Sequence, residues 1–186
     1  MPRWAGSSDG LVEQLGPERA RRLDELLLAR AKAAISAVGV VEAGAGNPPS
    51  PATETESLGA VVARVWTGDR AAGPLLVVWP DLPRWPPVHL DAALSDLADG
   101  CDLSLGPVFD GGFYLLALAR PLPGLLDLPA ESWRRPDAMA MTLAVAAKGD
   151  VAAGLLRAER ALRTPADVAA ALADPLLDRD LRKLLS

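Results

Sequence analysis

The hydrophobic positions of this chain switch between a helical period and short unbroken apolar runs. After Gly16-Pro17-Glu18, the residues Leu23, Leu26, Leu27, Ala31, Ala34 and Ile35 recur at three- and four-residue steps, the stripe of a helix with one buried face. Pro17 and Glu18 suit its first turn, and Gly39 its stop. A second helix is predicted over 55–67, with Leu58, Val61, Val62, Val65 and Trp66 on one side. A third follows Pro86-Pro87, with His89, Leu90, Ala93, Leu94 and Leu97 at helical spacing and Asp99-Gly100 at its end. A fourth covers 136–148 and stops at Gly149. Thr164-Pro165-Ala166-Asp167 reads as an N-cap with proline at the first helical position, and 176–185 as a short terminal helix. Between them, apolar runs at 38–43, 75–79, 102–105, 113–119 and 151–156 read as strands. Leu75–Trp79 is nearly all apolar, which fits a strand buried on both faces. The first 14 residues, Gly44–Pro51 and Pro121–Pro129 read as irregular segments.

Alternating strands and helices predict an α/β domain over 1–186, a three-layer sandwich around a mostly parallel central sheet. Ligands of such sheets sit beyond the carboxyl ends of the strands. Two acids fall there. Asp81 follows the strand in Trp79-Pro80-Asp81-Leu82-Pro83, and Asp110 lies in Phe109-Asp110-Gly111-Gly112-Phe113, between two strands. Glycine accepts positive φ and lets a ligand approach the main chain. Each acid also has a purely structural role open to it: Asp81 as a turn cap, and Asp110 as part of a tight hairpin.

Composition narrows the function. Half of the 186 residues are apolar, enough for a core of its own. A net charge of −5 without a basic cluster argues against nucleic acid as a partner. The single cysteine, Cys101, leaves no intramolecular disulfide, and with one histidine (His89) a structural zinc site is disfavoured. With no long uncharged apolar span and no hydrophobic N-terminal region, the expectation is a cytoplasmic protein without a membrane partner. Gly44-Ala45-Gly46 runs into Asn47-Pro48-Pro49 rather than a helix, so it is no dinucleotide fingerprint.

Four segments, in order, resemble a known family. They are Leu15-Gly16-Pro17-Glu18-Arg19-Ala20, Trp79-Pro80-Asp81-Leu82-Pro83, Leu105-Gly106-Pro107-Val108-Phe109-Asp110-Gly111-Gly112-Phe113-Tyr114-Leu115, and the helix start at Trp133-Arg134-Arg135-Pro136. Thr164-Pro165-Ala166-Asp167 closes the match, which spans about residues 11–174. The chain resembles the radical-SAM/selenodomain-associated transferases, glycosyltransferase-A-like proteins related to the guanylyltransferases of cofactor synthesis. The resemblance implies a nucleotide-diphospho-sugar transferase fold. It also implies a site for a nucleotide-sugar or nucleoside triphosphate with Mg²⁺ or Mn²⁺. Asp81 would be the metal or ribose contact and, with Asp110, the catalytic candidate. Pro83, Trp85, Gly111, Gly112 and Phe113 would line the ligand. Of the two tryptophans flanking Asp81, Trp85 is the better exposed stacking platform.

The chain also departs from that pattern. Residues 4–11 stand where the family has a basic phosphate-binding loop, and hold an acid and no Lys or Arg. Nearly all of the family's first strand is missing or truncated. The late acidic element reads Arg160-Ala161-Leu162-Arg163-Thr164-Pro165, with both acids gone, and small hydroxyl positions have become Arg134 and Arg135. Arg134, Arg135, Arg160 and Arg163 either bind an anion at one mouth of the sheet without metal, or are solvated surface residues. The favoured reading is a degenerate domain without normal transferase activity that binds a ligand or partner. The alternative is an active metal-dependent glycosyl- or nucleotidyltransferase, and a third reading places the chain's true start upstream. Loss of the first strand would open the sheet, so a rearranged sheet or a homodimer is expected.

Overall fold

Proline sets the helix starts. In a computed structural model, which describes residues 9–38, 73–128 and 135–186, four helices open with Pro at their first position. That position needs no N–H partner, and proline's fixed φ suits it. The described elements are α1 (Asp9–Leu15), α2 (Pro17–Ala37), β1 (Leu75–Val78), α3 (Pro87–Ala98), β2 (Leu103–Pro107) and β3 (Phe113–Leu118). They continue with α4 (Pro123–Leu126), α5 (Ala138–Lys148), β4 (Ala153–Leu155), α6 (Pro165–Ala173) and α7 (Arg179–Leu185). The predicted strand at 38–43, helix at 55–67 and first-strand region before residue 9 lie outside the described residues, as do Trp133 and Arg134.

Two segments read as irregular are in part helical. Residues 9–15 form α1, whose Leu11 and Leu15 are buried. Burying these two apolar side chains against α2, α6 and α7 outweighs a weak local propensity. The proline-punctuated stretch 121–129 contains α4, which buries Leu125 and Leu126.

The four described strands run in the order β1-β3-β2-β4. β3 is antiparallel to both β1 and β2, and β2 is parallel to β4. The described sheet is therefore mixed rather than mostly parallel. The cause is local: Asp110-Gly111-Gly112 folds β2 back on β3 as a hairpin, so β3 alone runs the other way. β1 is half-buried along its length, not buried on both faces, and it ends the order of described strands.

Tyr114 is an extra residue in β3. Gly106 pairs with Leu115 and Pro107 with Phe113, so the register slips by one there, a β-bulge. The bulge decides which way side chains face. Phe113, Leu116 and Leu118 pack with α4 and α5 on one side. Tyr114, Leu115 and Ala117 pack with α2 and α3 on the other. Helices thus cover both faces of the sheet, giving three layers, and α1, α2, α6 and α7 add a further apolar cluster beside them.

Candidate functional site

β1, β2 and β4 run in one direction, so their carboxyl ends meet at one edge of the sheet. Asp81 lies beyond β1 and Asp110 beyond β2. After β4 the chain continues alongside β2. Leu156 N–H donates to Leu105 O at 2.8 Å and Glu159 N–H to Pro107 O at 3.0 Å. It then crosses to β1's end, where Leu162 N–H donates to Asp81 O at 2.8 Å. This path delivers the next residue, Arg163, between the two acids.

The Arg163 guanidinium is held on three sides. Its Nε donates to Asp81 Oδ2 at 2.6 Å, its Nη1 to Asp110 Oδ2 and Oδ1 at 2.8 and 3.0 Å, and its Nη2 to Phe113 O at 3.0 Å. A planar fork of donors is suited to bridging two carboxylates in this way. The three acidic and basic partners differ in exposure: the side chains are 5% exposed at Asp81, 21% at Arg163 and 48% at Asp110. Burial pushes the Asp81 carboxyl above its ordinary value, and the Arg163 charge and hydrogen bond oppose that rise. Burial also works against the Arg163 cation, but the attraction of Asp81 and then Asp110 outweighs it and its pKa rises.

The signature turn is shaped around this contact. Gly112 N–H donates to Asp110 Oδ1 at 3.1 Å, which fixes that carboxylate. A Cβ at Gly112 would lie 2.7 Å from Arg163 Nη1, so the missing side chain is the space the guanidinium fills. Gly111 has φ +92°, and a Cβ there would lie 1.7 Å from Pro136 O. Gly111 O in turn accepts from Met139 N–H at 3.0 Å, tying the turn to α5.

The other expected ligand residues have different surroundings. Trp85 is buried, 8% exposed, and meets the Tyr114 ring edge-on at 5.6 Å. It is a core residue and not the exposed platform expected; the chain folds it inward because it caps the α2–α3 side of the bulge. The Phe113 ring is likewise buried beside Trp79, and it is the Phe113 carbonyl that reaches the site. Pro83 is half-buried, and its carbonyl accepts from Arg30 Nη1 at 2.9 Å.

The expected arginine mouth is neutralised wherever it is described. Arg135 makes a two-armed contact with Asp137, at 2.8 Å on each arm. Arg160 bonds Asp167 at 3.0 Å and lies over the exposed Phe109 ring, 5.6 Å from its centroid. Asp167 also closes a capping box with Thr164 at the start of α6. Arg163 carries two carboxylates. Even with Asp81 protonated, the trio it forms has no net positive charge, so its field does not favour a phosphate. Sequence reasoning grouped Arg163 with the other arginines and missed its pairing with Asp81 and Asp110. The available signal was a cation standing where the resemblance expects an acid.

The same geometry decides the fit of a divalent metal. Mg²⁺ or Mn²⁺ needs several oxygen ligands around open space. Here a guanidinium takes the space between the two carboxylates, and no group of three or more His, Cys, Asp and Glu side chains among the described residues is placed to hold a metal ion. The residues present do not fit that ion.

A second polar cluster lies behind the site. His89, 6% exposed, faces Glu159 with Nε2 3.1 Å from Oε1, without the geometry of a hydrogen bond. Its ring is 5.1 Å from that of Tyr114, whose hydroxyl donates to Arg157 O at 3.1 Å. Burial lowers the His89 pKa from its usual value; Glu159 opposes this and Arg157 adds to it. The folded state therefore prefers neutral imidazole. That contribution to stability is complete above about pH 6.5 and is lost as pH falls through the folded pKa. Urea midpoints should fall from pH 7.5 to 5.5, and His89→Leu should flatten the fall; an unchanged slope in that variant would contradict the assignment.

The fold is glycosyltransferase-A-like, the architecture of nucleotide-diphospho-sugar transferases. The structure is similar to the crystal structure of a proposed nucleotide-diphospho-sugar transferase from Desulfovibrio desulfuricans G20. The TM-score is 0.73 at 19% identity, over 95% of this chain and 86% of that one. Residues 21–133 match the family model described as an uncharacterised protein conserved in bacteria (DUF2064), and the chain belongs to that family. No curated protein matches it. No helix among the described residues is long and apolar enough to cross a membrane.

Proposed function

We propose that this protein is a degenerate glycosyltransferase-A-like domain, from the radical-SAM/selenodomain-associated branch, that binds a ligand or a partner and has no normal transferase activity. One observation carries the reading: the Arg163 guanidinium lies between Asp81 and Asp110, at 2.6 and 2.8 Å. A metal-dependent transfer needs those carboxylates free to hold the cation that neutralises the diphosphate leaving group. The arginines that were candidates to replace the metal electrostatically are paired with acids where they are described. A nucleotide or nucleotide-sugar remains the ligand class that the fold favours, bound without chemistry at the strand ends. A cytoplasmic homodimer is the form we assign to it.

A thermal-shift screen of nucleotides and nucleotide-sugars, with and without Mn²⁺, tests this together with a donor-hydrolysis assay. A ligand that binds only the native state raises its melting temperature. We expect no metal-dependent shift and no turnover. Metal-dependent stabilisation by one nucleotide-sugar, with release of its nucleoside diphosphate, would overturn the proposal.

A further inference from the structure

We infer that Arg163 is a resident cation standing in for a divalent metal, so that the Asp81/Asp110 pair is closed to metal in the native protein and open to it once Arg163 is removed. The inference rests on the geometry beneath the proposed function and extends it from lost activity to a cause in one residue.

Three observations support it. The first is position. The guanidinium does not merely touch the acids from outside; it bridges them, through Nε to one and Nη1 to the other. The second is a built cradle. Gly112 leaves the space that Arg163 Nη1 enters, and Phe113 O accepts from Nη2 at 3.0 Å. A carbonyl oxygen beside two carboxylates is an oxygen-rich surround of the kind that hard cations choose. Here the cation it receives is covalently part of the chain. The third is an oxygen left over. Asp81 Oδ1 is buried, with no hydrogen-bond partner among the described residues. One guanidinium edge satisfies Oδ2 alone, whereas a metal ion at the centre of the three groups would draw on either oxygen.

The stand-in changes what the site does. A divalent ion at this place would leave positive charge for a diphosphate. Arg163 supplies a single charge, and Asp110 alone cancels it. The acids therefore serve as anchors that join β1's end, the β2–β3 turn and the segment leading into α6. A ligand at this edge of the sheet meets a closed, metal-independent surface.

Mn²⁺ alone is the probe. The parent, Arg163→Ala and Arg163→Ala/Asp110→Asn are titrated with Mn²⁺, following its electron-spin resonance signal and the melting temperature. The parent should show no saturable binding and a shift under about 1 °C. Arg163→Ala should bind one Mn²⁺ and regain about 5 °C or more at saturation. The double variant should lose both effects. If the alanine variant does not fold without metal, Arg163→Gln, which leaves Asp81 a neutral donor, is read in the same way. Saturable Mn²⁺ binding by the parent that Asp110→Asn removes would overturn the inference, and so would a folded Arg163 variant that binds none. The second result leaves the proposed function standing. Donor turnover by the parent without metal would end the proposed function and leave the inference standing.

Discussion

Arg163→Ala should be the most damaging side-chain truncation at this edge of the sheet. It strips the cation from a carboxylate that is 5% exposed. Removing one partner of a buried ion pair costs about 3–5 kcal/mol, because the remaining charge stays buried. The half-exposed Asp110 arm adds little, since such contacts are worth about 0–1 kcal/mol. For a chain of this length the sum corresponds to a melting temperature lower by about 6–24 °C. Asp81→Asn in the same background removes the buried charge and should restore part of that loss. Calorimetry of the single and double variants checks both signs. Equal melting temperatures for parent and Arg163→Ala would show that the contact does not hold the fold.

Gly111→Ala should be comparably severe for a different reason. At φ +92° a Cβ is strained by about 1–2 kcal/mol whatever surrounds it. Here it would also fall 1.7 Å from Pro136 O, a main-chain atom that cannot rotate away. The β2–β3 turn and the start of α5 must separate, breaking the Met139 N–H to Gly111 O bond. We expect a loss of about 3 kcal/mol or more, read as a lower urea midpoint with an unchanged slope. Gly124→Ala, where a Cβ comes no nearer than 3.8 Å to a side-chain carbon, is the control and should be nearly neutral. Similar losses in the two variants would show that the turn can yield.

The local elements were legible because the sequence punctuates them. Pro17, Pro87 and Pro165 mark helix starts; Gly149 caps α5; Thr164 and Asp167 form their capping box. The two strand-end acids were also readable, since an acid after an apolar run is a local pattern. Strand direction was not. A two-glycine turn between apolar runs is compatible with a hairpin, but the weight of alternating helices pointed to a parallel sheet. Trp85 was misjudged because an aromatic beside an acid looks the same whether it faces solvent or Tyr114. Arg163 was the largest miss. It lies 82 residues from Asp81 and 53 from Asp110, and only the crossing of the segment after β4 brings the three together. In the linear chain it was one arginine among four.

A crystal structure of the parent grown in excess Mn²⁺ would show which cation occupies the space between Asp81 and Asp110, because manganese scatters anomalously and a guanidinium does not. Arg163 should bridge Asp81 and Asp110, with no anomalous peak between them. A manganese ion bound by both carboxylates, with Arg163 turned away from them, would contradict that assignment.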